Sequence, residues 1–497
     1  MNPLASTKCA RRLLMALAAM TGILLIAGCG SSGSIQSLGG GFSKSSLKGQ
    51  YVISQTGVGV NQAGTGVNAF SETIVFTADG NGKLNITVDD FDQVGGPFTL
   101  SGPLTGTYGI GSDGTGFLIF NFNTTTNYAI TMIDDSHFYI IEQDFFATAS
   151  GFGEKQDTTA FTAAPSGSFV FKAHEIDTSS RVGGITITAG AIAGTEDFLS
   201  LGSPSSIMPV TTSVAMTAPD ATNGRGKFTL TDGSSFNYYV VNSGKFYIMS
   251  NSASGSLEIG QAEAQVAPAG GFSAATLPGS YVFGSSGDTS VSGSAGIHSA
   301  GVFTTDGSGN ITAGAVDYVQ DTTVNSNLAV SGGTYTLASS GRGTINLTLA
   351  GGTISPQIFW TLNGTHAYFL ADSTLAVEDG TFSLQQGAPF TALSSQAAFV
   401  MDGFDVAFKD RVGVFKPAAT SFNWNQAANS FDATTGLGNP STLPTSGTYQ
   451  VSSNGRVTVT VNNVDNSIVF YLSSDSTGFM VQEDADIGGA FAKQASQ

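Results

Sequence analysis

Apolar and polar residues alternate along most of the chain, which is the pattern of a strand that buries one face. In residues 456–461 three valines lie on one face and polar groups on the other. Ile345, Leu347 and Leu349 repeat this alternation one repeat earlier. Asn-Gly and Asp-Gly pairs separate such segments, and glycine's freedom at positive φ suits two-residue hairpins. The pattern predicts antiparallel strands joined by short turns.

One hairpin turn recurs four times along the chain. Its copies are Asp113-Gly114-Thr115, Asn223-Gly224-Arg225, Ser340-Gly341-Arg342 and Asn454-Gly455-Arg456. Sequential hairpins give neighbouring antiparallel strands, so each repeat is predicted to be a meander of about eight strands. Closing such a sheet into a small β-barrel removes its edges, and a β-sandwich is the alternative. We expect an all-β fold and favour the barrel.

The repeats are about 115 residues long and follow a common spacing. Each opens with an aromatic residue in a strand: Tyr51, Phe169, Tyr281 and Phe399. Tyr51 to Tyr281 is 230 residues, as is Phe169 to Phe399. Two further markers are predicted to keep this register: Arg181-Val182-Gly183 with Arg411-Val412-Gly413, and Phe152…Gln156 with Phe382…Gln386. The spacing predicts two copies of a two-domain unit, each repeat burying a core of its own.

These patterns predict seven segments. They are a signal peptide at 1–28, a flexible tether at 29–46, β-repeats at 47–157 and 158–262, a Pro/Gly-rich linker at 263–276, and β-repeats at 277–386 and 387–497. The linker divides the two pairs of repeats, so a fragment of residues 272–497 is expected to fold alone as a monomer.

The N-terminus has the pattern of an export signal. Lys8, Arg11 and Arg12 precede an apolar run of 14 residues, 13–26, which is too short to span a bilayer comfortably. The run ends in Leu25-Ile26-Ala27-Gly28-Cys29, which resembles the lipobox of bacterial lipoproteins. The resemblance implies cleavage after Gly28, acylation of Cys29 and a membrane as partner through that lipid anchor. Gly30, by analogy with lipoprotein sorting, favours the outer membrane or cell surface.

The mature repeats carry a second resemblance. Their L-x-G-x-Y openings, D-G-x-G turns and S-G-T-Y hairpins are similar to the tandem β-rich repeats of large bacterial surface lipoproteins. This resemblance covers most of the mature chain and brings no activity with it.

Charge and cysteine content narrow the choice of partners. Without residues 1–28 the chain has 15 basic and 36 acidic residues, a net charge of −21. Such a surface repels nucleic acid and anionic lipid, so neither is an expected partner. Cys9 leaves with the signal peptide, and Cys29 is predicted to be lipidated. No disulfide can then form within one mature chain.

Two Asp-Gly turns suggest calcium loops. In Asp79-Gly80-Asn81-Gly82 and Asp306-Gly307-Ser308-Gly309, glycines occupy the second and fourth positions, and neither segment has a glutamate at the twelfth. An EF-hand loop needs other residue types at these positions. A hairpin turn explains the Asp-Gly pairs, and we predict no metal and no other cofactor.

The histidines give no clear catalytic pattern. His174-Glu175-Ile176-Asp177 begins like a zinc-protease motif, but no second histidine follows at the required spacing, so the segment is interpreted as a solvated strand. His137 and His366 occupy matching positions where the other repeats have Lys245 and Gly478. A position that accepts such different residues is interpreted as an exposed turn.

Arginines and acidic groups are the remaining candidates. Arg225, Arg342 and Arg456 recur, with Thr115 in the first repeat, and we expect pairing with a neighbouring acid rather than capture of a ligand carboxylate. Two acidic groups contain carboxylates that would suit glycoside hydrolysis, but they are interpreted as solvated faces. They are Asp89, Asp90 and Asp92, and Glu483, Asp484 and Asp486. No G-x-S-x-G motif occurs in the sequence, and no catalytic residue is predicted.

The sequence therefore favours a non-catalytic, membrane-anchored surface lipoprotein with a structural or adhesive role. The alternative is a barrel that binds a small molecule or carbohydrate, in a cavity lined by aromatics such as Tyr139, Phe359 and Trp360. A glycosidase would instead show two carboxylates facing each other across a cleft. A pocket whose polar residues come from more than one repeat would discriminate best among these functions.

Overall fold

The computed structural model describes residues 41–60, 66–93, 96–122, 125–176, 178–252, 256–289, 296–320, 323–351, 354–404, 407–462 and 467–495. The predicted signal peptide, Cys29 and residues 30–40 of the predicted tether lie outside the described residues. Within these ranges, no helix has both the length and the apolar character needed to cross a membrane.

The strands form four closed, eight-stranded antiparallel barrels. In each barrel consecutive strands pair and the last strand returns to the first, so each is an up-and-down meander. Closure leaves no unpaired sheet edge. The predicted all-β fold of four barrels is confirmed, and the sandwich alternative is wrong.

The first two barrels account for strands β1 to β16. Barrel 1 contains β1 (Lys48–Val60), β2 (Val67–Asp79), β3 (Lys83–Gln93), β4 (Phe98–Ile110), β5 (Thr115–Asn121), β6 (Thr125–Met132), β7 (His137–Gln143) and β8 (Ala147–Lys155). Barrel 2 contains β9 (Gly167–Glu175), β10 (Ser179–Thr188), β11 (Ala191–Ser200), β12 (Ser206–Val214), β13 (Arg225–Leu230), β14 (Ser235–Asn242), β15 (Lys245–Ser250) and β16 (Ile259–Ala264).

The second pair of barrels follows the same plan. Barrel 3 contains β17 (Pro278–Asp288), β18 (Gly296–Asp306), β19 (Asn310–Gln320), β20 (Thr323–Leu337), β21 (Arg342–Leu349), β22 (Gln357–Thr361), β23 (His366–Ala371) and β24 (Val377–Leu384). Barrel 4 contains β25 (Ala397–Phe404), β26 (Phe408–Ala418), β27 (Ser421–Asp432), β30 (Thr445–Val451), β31 (Arg456–Val461), β32 (Ser467–Ser474), β33 (Thr477–Gln482) and β34 (Asp486–Lys493), with the two-residue strands β28 (Leu437–Gly438) and β29 (Ser441–Thr442) beside β27. Short 3-10 helices are Lys44–Ser46, Thr158–Thr162 and Ala274–Thr276.

Aromatic side chains fill the barrel interiors. Tyr51 stacks on Phe76 with ring centroids 5.7 Å apart, and Tyr281 stacks on Phe303 at the same distance. Eight strands enclose a space that side chains just fill, so alternate residues of each strand form the core. The opening aromatics predicted from the first three repeats therefore lie inside their barrels.

The sequence register is wrong at two markers. Ala397 lies opposite Lys493 as Tyr51 lies opposite Lys155, so Ala397, and not Phe399, is the equivalent of Tyr51. By the same comparison Gln156 corresponds to Gln385 rather than Gln386. Both errors came from matching residue types without knowing which strand positions face each other.

A buried phenylalanine and a turn glycine close one end of each barrel. The phenylalanines, Phe42, Phe161, Phe272 and Phe390, precede the first strands of their barrels. The recurring turn glycines, Gly114, Gly224, Gly341 and Gly455, have φ between +71° and +94°. A Cβ on Gly114 would lie 3.1 Å from the Phe42 ring, and one on Gly224 would lie 2.6 Å from the Phe161 ring. Glycine is required there by both the backbone conformation and the space.

The four barrels form a closed ring through four apolar interfaces, which we call seams 1/2, 2/3, 3/4 and 4/1. Seam 1/2 contains Val52, Val75, Val88, Tyr239, Val241, Tyr247 and Met249. Seam 2/3 contains Val170, Val182, Leu199, Ile358, Trp360, Leu362, Tyr368 and Leu370. Seam 3/4 contains Val282, Ala300, Val302, Ala315, Val319, Val469, Tyr471 and Val481. Seam 4/1 contains Ala129, Tyr139, Ile141, Ala398 and Val412.

A glutamine after each barrel bonds to the next barrel. Gln156 Nε2 donates to the carbonyls of Asn223 and Val240, at 3.3 and 2.6 Å. Gln265 and Gln385 make the corresponding pairs of bonds to barrels 3 and 4. Gln494, near the C-terminus, donates to the carbonyls of Asp113 and Met132 in barrel 1. The chain therefore closes the ring with the contact that it uses between consecutive barrels.

Two segments assigned to linkers are more ordered than the sequence suggested. Phe42, placed in the predicted tether, is 4% exposed and packs into the core of barrel 1. Residues 263 and 264, placed in the predicted linker, belong to β16. Phe272, from the same linker, is buried at the end of barrel 3. The predicted domain boundaries otherwise remain predictions.

Candidate functional site

The recurring arginines bind aspartates of the preceding barrel. In seam 3/4 the Arg456 guanidinium donates to both carboxylate oxygens of Asp317, at 2.8 and 2.6 Å, and the Tyr471 hydroxyl donates to the same carboxylate. The Asp317 side chain is fully buried. Burial alone would raise the pKa of Asp317, but the hydrogen bond and charge of Arg456 outweigh it and lower that pKa below its ordinary value.

Two other seams have the same arrangement. In seam 1/2 Arg225 Nη2 donates to Asp90 at 3.0 Å, and the Tyr239 hydroxyl donates to the same carboxylate. In seam 2/3 Arg342 Nη2 donates to Asp197 at 2.6 Å, and Trp360 Nε1 donates at 2.9 Å. The predicted pairing of these arginines with acids is confirmed, although each acid belongs to another barrel.

Seam 4/1 lacks this ionic cluster. Ala427 lies opposite Val412 as Asp197 lies opposite Val182, so Ala427 occupies the aspartate position. Thr115 and Thr131, opposite each other in barrel 1, occupy the arginine and tyrosine positions. All three members are therefore replaced by small neutral residues. Asn429 bonds across this seam instead, donating to the carbonyls of Glu142, Asp144 and Ala147 at 3.0–3.2 Å.

All four barrels line one polar cavity of about 220 Å³, which we call the four-barrel cavity. Its polar lining comes from Thr148 and Ser150 of barrel 1, Lys172, His174 and Glu175 of barrel 2, Asp288, His298 and Asp379 of barrel 3, and Asp402, Asp410 and Asp486 of barrel 4. Six acidic side chains thus face one lysine and two histidines. A pocket whose polar groups come from several repeats is the observation that the sequence singled out as most informative.

Ion pairs across seams neutralise part of this acidity. Lys172 Nζ lies 3.0 Å from Asp379 Oδ2, and His298 Nδ1 lies 2.8 Å from Asp486 Oδ1. Burial lowers the pKa of a histidine, but the bond to Asp486 outweighs it and raises the pKa of His298. His174 lies 4.0 Å from Asp379, and burial lowers its pKa. Asp486 therefore stabilises the cationic form of His298, while burial stabilises the neutral form of His174.

Asp410 and Asp402 form the second acidic part of the cavity. Thr148 donates a hydrogen bond to Asp410, and Ser150 Oγ donates to Asp402 at 2.9 Å. Burial, followed by the charge of Asp402, raises the pKa of Asp410 to about 8. Asp410 is therefore mostly protonated at neutral pH. The two carboxyl groups lie on the adjacent strands β25 and β26.

The segment His174–Ile176 is half-buried at a cavity, and most of the acidic groups are not on the solvated surface that the sequence suggested. His174 and Glu175 line the four-barrel cavity, while Asp177 lies outside the described residues. Asp89, Asp90 and Asp92 are at most 2% exposed. Burial, followed by the charge of Glu175, raises the pKa of Asp92 to about 7. Asp90 and Asp92 are outward-facing positions that become interior when barrels pack side by side, whereas Asp89 lies opposite Ile74, a residue of the barrel 1 core.

The other acidic group is also occupied by contacts. Asp486 pairs with His298, Glu483 accepts a hydrogen bond from Ser467 Oγ at 2.5 Å, and Asp484 lines the mouth of barrel 4. Asp486 is buried and Glu483 is half-buried, so the interpretation as a solvated face is wrong for these two, whereas Asp484 is exposed.

The matching histidine positions are partly buried. His137 lies 2.9 Å from Asp134 and 3.5 Å from Glu154, whose carboxylate also pairs with Lys245 of barrel 2 at 2.7 Å. Hydrogen bonds to Asp134 and then Glu154 raise the pKa of His137 to about 9. His366 Nδ1 lies 2.9 Å from Ser383 Oγ. His137 and Lys245 thus supply positive charge to seam 1/2, and the interpretation as an exposed turn is wrong for them.

The Asp-Gly segments form hairpin turns. Asp79 Oδ1 accepts the backbone N–H groups of Asn81 and Lys83 at 2.7 and 3.0 Å. Asp306 Oδ1 accepts those of Ser308 and Asn310 at 2.7 and 3.1 Å. Each carboxylate therefore already caps its own turn. Across the ranges given above, no group of three His, Cys, Asp or Glu side chains is arranged to hold a metal ion.

The aromatic residues proposed as a ligand cavity pack elsewhere. Phe359 lies in the core of barrel 3, Trp360 in seam 2/3 and Tyr139 in seam 4/1. No aromatic residue named from the sequence lines the four-barrel cavity.

The sequence reasoning missed the aspartates of the seams, although a signal was present. Asp90-Phe91, Asp197-Phe198 and Asp317-Tyr318 repeat an acid-aromatic pair, and the fourth repeat lacks it at Ala427. The repeat with Thr115 in place of arginine is the one that meets barrel 4. The aspartate and the arginine are thus both missing from the contact between the first and last barrels.

The fold is thus a ring of four meander barrels around a polar cavity. No protein-family model matches the chain, and no curated protein matches it. Among solved structures it is similar to intact Ap-TbpB with its N and C lobes, at 8% identity and a TM-score of 0.19, over 67% of this chain and 75% of that chain. A likeness of that size carries no argument about the function of this chain.

Proposed function

We propose that this protein is an exported lipoprotein, anchored through Cys29, whose ring of barrels has a non-catalytic structural or adhesive role at the cell surface. The observation that supports this proposal is that the recurring polar residues make contacts between barrels. Arg225, Arg342 and Arg456 join barrels, and so do the four glutamines at the barrel exits. Residues that repeat for assembly rather than for chemistry are expected in a scaffold.

Rigidity follows from the same contacts. Each barrel is held by two seams, so separating one barrel exposes two apolar interfaces. Residues 30–40 and the predicted lipid on Cys29 would attach this ring to the membrane at one point. A rigid body on a single tether suits contact with other envelope or extracellular components.

Protease treatment of intact bacteria tests this proposal. We expect the parent chain in the membrane fraction, and we expect protease to release one fragment that starts near residue 41 and contains all four barrels. The Cys29→Ser variant is expected to be missing from the membrane fraction. The Cys9→Ser variant, which changes the other cysteine, is expected to be found in the membrane fraction as the parent is. Equal fractionation of parent and Cys29→Ser, or release of separate barrels, would contradict the proposal.

Adhesion is measured with the same strains. Bacteria displaying the parent chain are expected to attach to a polysaccharide-coated surface more than bacteria producing Cys29→Ser at equal expression. Equal attachment would exclude the adhesive form of the proposal on that surface and leave the structural form, which the fractionation experiment tests.

The four-barrel cavity supports a second candidate function, the binding of a small organic cation. Its acidic side chains outnumber its basic ones, and Asp402 and Asp410 come from one side of it. A diamine such as putrescine is a suitable probe, with the diol of equal length as the neutral control. Calorimetric binding of putrescine that weakens in Asp402→Asn and persists in the turn variant Asp306→Asn would support this function. Equal binding of the diol would exclude it.

A further inference from the structure

The interior of barrel 4 opens at one end into a cavity of about 430 Å³, which is distinct from the four-barrel cavity. Side chains normally just fill a barrel of eight strands, and the cavity inside barrel 2 has about 30 Å³. One water molecule needs only ~10–15 Å³ of such space. The mouth of barrel 4 is therefore large enough for a small organic molecule.

The lining of this mouth combines an apolar wall with polar groups of several kinds. The apolar wall contains Leu443, Val461 and Ile468. The polar groups are two bases, one acid, two amides and an indole, from Lys409, Arg411, Asp484, Gln426, Gln482 and Trp424. Charges of both signs thus occur together in the lining, and a neutral ligand suits such a site.

Two polar atoms of the lining have no hydrogen-bond partner among the described residues. One is the donor Nε1 of Trp424, a residue that is 2% exposed, and the other is the acceptor Oε1 of Gln426. Leaving a buried polar group unpaired is costly, so such atoms are normally bonded to a ligand or to water. The mouth of barrel 4 therefore offers one donor and one acceptor to whatever occupies it.

The donor and the acceptor lie close together on one face of one strand. Trp424 and Gln426 are two residues apart on β27, so their side chains point to the same side of the sheet. Four aromatic rings surround the indole with ring centroids 4.4–6.4 Å from its own, namely those of Phe399, Phe415, Phe422 and Phe470. This packing restricts the indole, so its N–H group cannot easily turn to another acceptor.

A hydroxyl is the group that satisfies both atoms. Its oxygen accepts a hydrogen bond from an N–H group, and its hydrogen is donated to a carbonyl oxygen. An ionised carboxylate can only accept, and an ammonium group can only donate. A sugar carries several neighbouring hydroxyls, and the C–H groups of its ring suit an apolar wall.

We propose that the mouth of barrel 4 binds a neutral sugar residue. One sugar hydroxyl accepts the indole N–H of Trp424, and that hydroxyl or its neighbour donates to Oε1 of Gln426. The C–H groups of the sugar ring lie against Leu443 and Ile468. This site goes beyond the proposed scaffold role, which requires no ligand in any barrel.

The two indole N–H groups of the chain provide an internal comparison for the test. Trp360 Nε1 already donates to Asp197 in seam 2/3, whereas Trp424 lines the mouth of barrel 4. The ¹⁵N-labelled full chain in detergent is titrated separately with the methyl glycosides of glucose, galactose and mannose, and the spectrum of Trp424→Phe assigns the two resonances. We expect at least one glycoside to shift the Trp424 indole resonance saturably and none to shift that of Trp360. The matched control, 2-methoxytetrahydropyran, has the same ring without hydroxyl groups and is expected to leave both resonances unchanged.

Glutamine variants assign the binding to this site. Gln426→Leu is expected to weaken binding of the glycoside by about two- to tenfold, the value of one neutral hydrogen bond. Gln450→Leu makes the same change at an exposed position of β30 outside the cavity and is expected to bind as the parent does. If Gln426→Leu does not fold, Trp424→Phe replaces it in calorimetry, with weaker binding again expected.

Three outcomes would overturn the proposal. The first is that no glycoside shifts the Trp424 resonance up to tens of millimolar, which would leave water as the partner of both atoms. The others are an equal shift with 2-methoxytetrahydropyran and unchanged affinity in the folded variant. The protease and fractionation experiment is independent of all three, so a failure here leaves the scaffold proposal standing.

Discussion

Removing the charge of Asp317 tests whether the ionic clusters hold the ring together. Asp317→Asn keeps the shape of the side chain but leaves the Arg456 guanidinium, whose side chain is 11% exposed, with Glu483 at 3.5 Å in place of a bidentate carboxylate. Breaking a buried, bidentate pair in this way costs about 3–5 kcal/mol. The amide keeps one of the two acceptor oxygens, so the donors to the other oxygen, which are either the Tyr471 hydroxyl or the Asn327 N–H, also lose their acceptor.

The size of the melting shift depends on how much of the chain unfolds together. Unfolding entropy is about 2.1 cal/mol/K per residue, so roughly 450 residues unfolding as one unit give about 0.9 kcal/mol/K. The variant would then melt about 3–5 °C below the parent. A single barrel of roughly 100 residues would shift by about 4 °C or more for each kcal/mol. Because every barrel shares two seams, we expect one transition and the smaller shift.

The double variant is the decisive measurement. Asp317→Asn with Arg456→Met removes both charges, so no guanidinium is left buried beside the amide. We therefore expect the double variant to melt above Asp317→Asn alone in scanning calorimetry. Asp306→Asn, an exposed turn variant, is the matched control and should melt within about 1 °C of the parent. A double variant whose loss equals the sum of the two single losses would refute the argument.

Three further predictions concern titration, ring closure and metal. Asp410 has a folded pKa of about 8, above its ordinary 3.8, so its contribution to stability is complete in acid and is lost as pH rises through 8. The melting temperature of Asp410→Asn should therefore rise relative to that of the parent between pH 4 and 8 and then level off. A difference that stays constant with pH would contradict this. A fragment of residues 272–497, expected to be a monomer from the sequence alone, should instead fold and self-associate in sedimentation, because it exposes the faces of seams 2/3 and 4/1. A stable monomer would disagree with the ring. The melting temperature should be the same in EDTA and in millimolar calcium, since Asp79 and Asp306 already accept backbone N–H groups. A metal site would instead raise the melting temperature in calcium, and the double variant Asp79→Ala with Asp306→Ala would abolish that rise.

Local pattern was sufficient to predict the barrels. The turn at Asn454-Gly455 and the alternation in β31 specify a hairpin without reference to the rest of the chain. Repetition of such hairpins over about 115 residues leaves few folds other than a closed meander. The same reasoning indicated that Arg456 would pair with an acid, because a partly buried guanidinium needs one.

The arrangement of the barrels could not be predicted in the same way. Alternation distinguishes the two faces of a strand but does not tell whether the outer face meets water or another barrel. Val52 and Asp90 therefore look alike as surface positions, and only packing buries both. The four-barrel cavity has the same origin, since His174, His298 and Asp410 are far apart in sequence and meet only when the ring closes.

The distribution of charge among the seams follows from how each seam forms. Seams 1/2, 2/3 and 3/4 join barrels that the chain connects directly, so their partners are held close before they pack. A buried ion pair must be desolvated on assembly, and a high effective concentration helps to offset that cost. Seam 4/1 joins the first and last barrels, which a long chain must bring together at an additional entropic cost. Ala427, Thr115 and Thr131 require no desolvation of charge there, and Asn429 and Gln494 supply neutral hydrogen bonds instead. The seam between the first and last barrels is thus closed without the bidentate ion pair of the other three, although Asp410 is also buried there against Thr148.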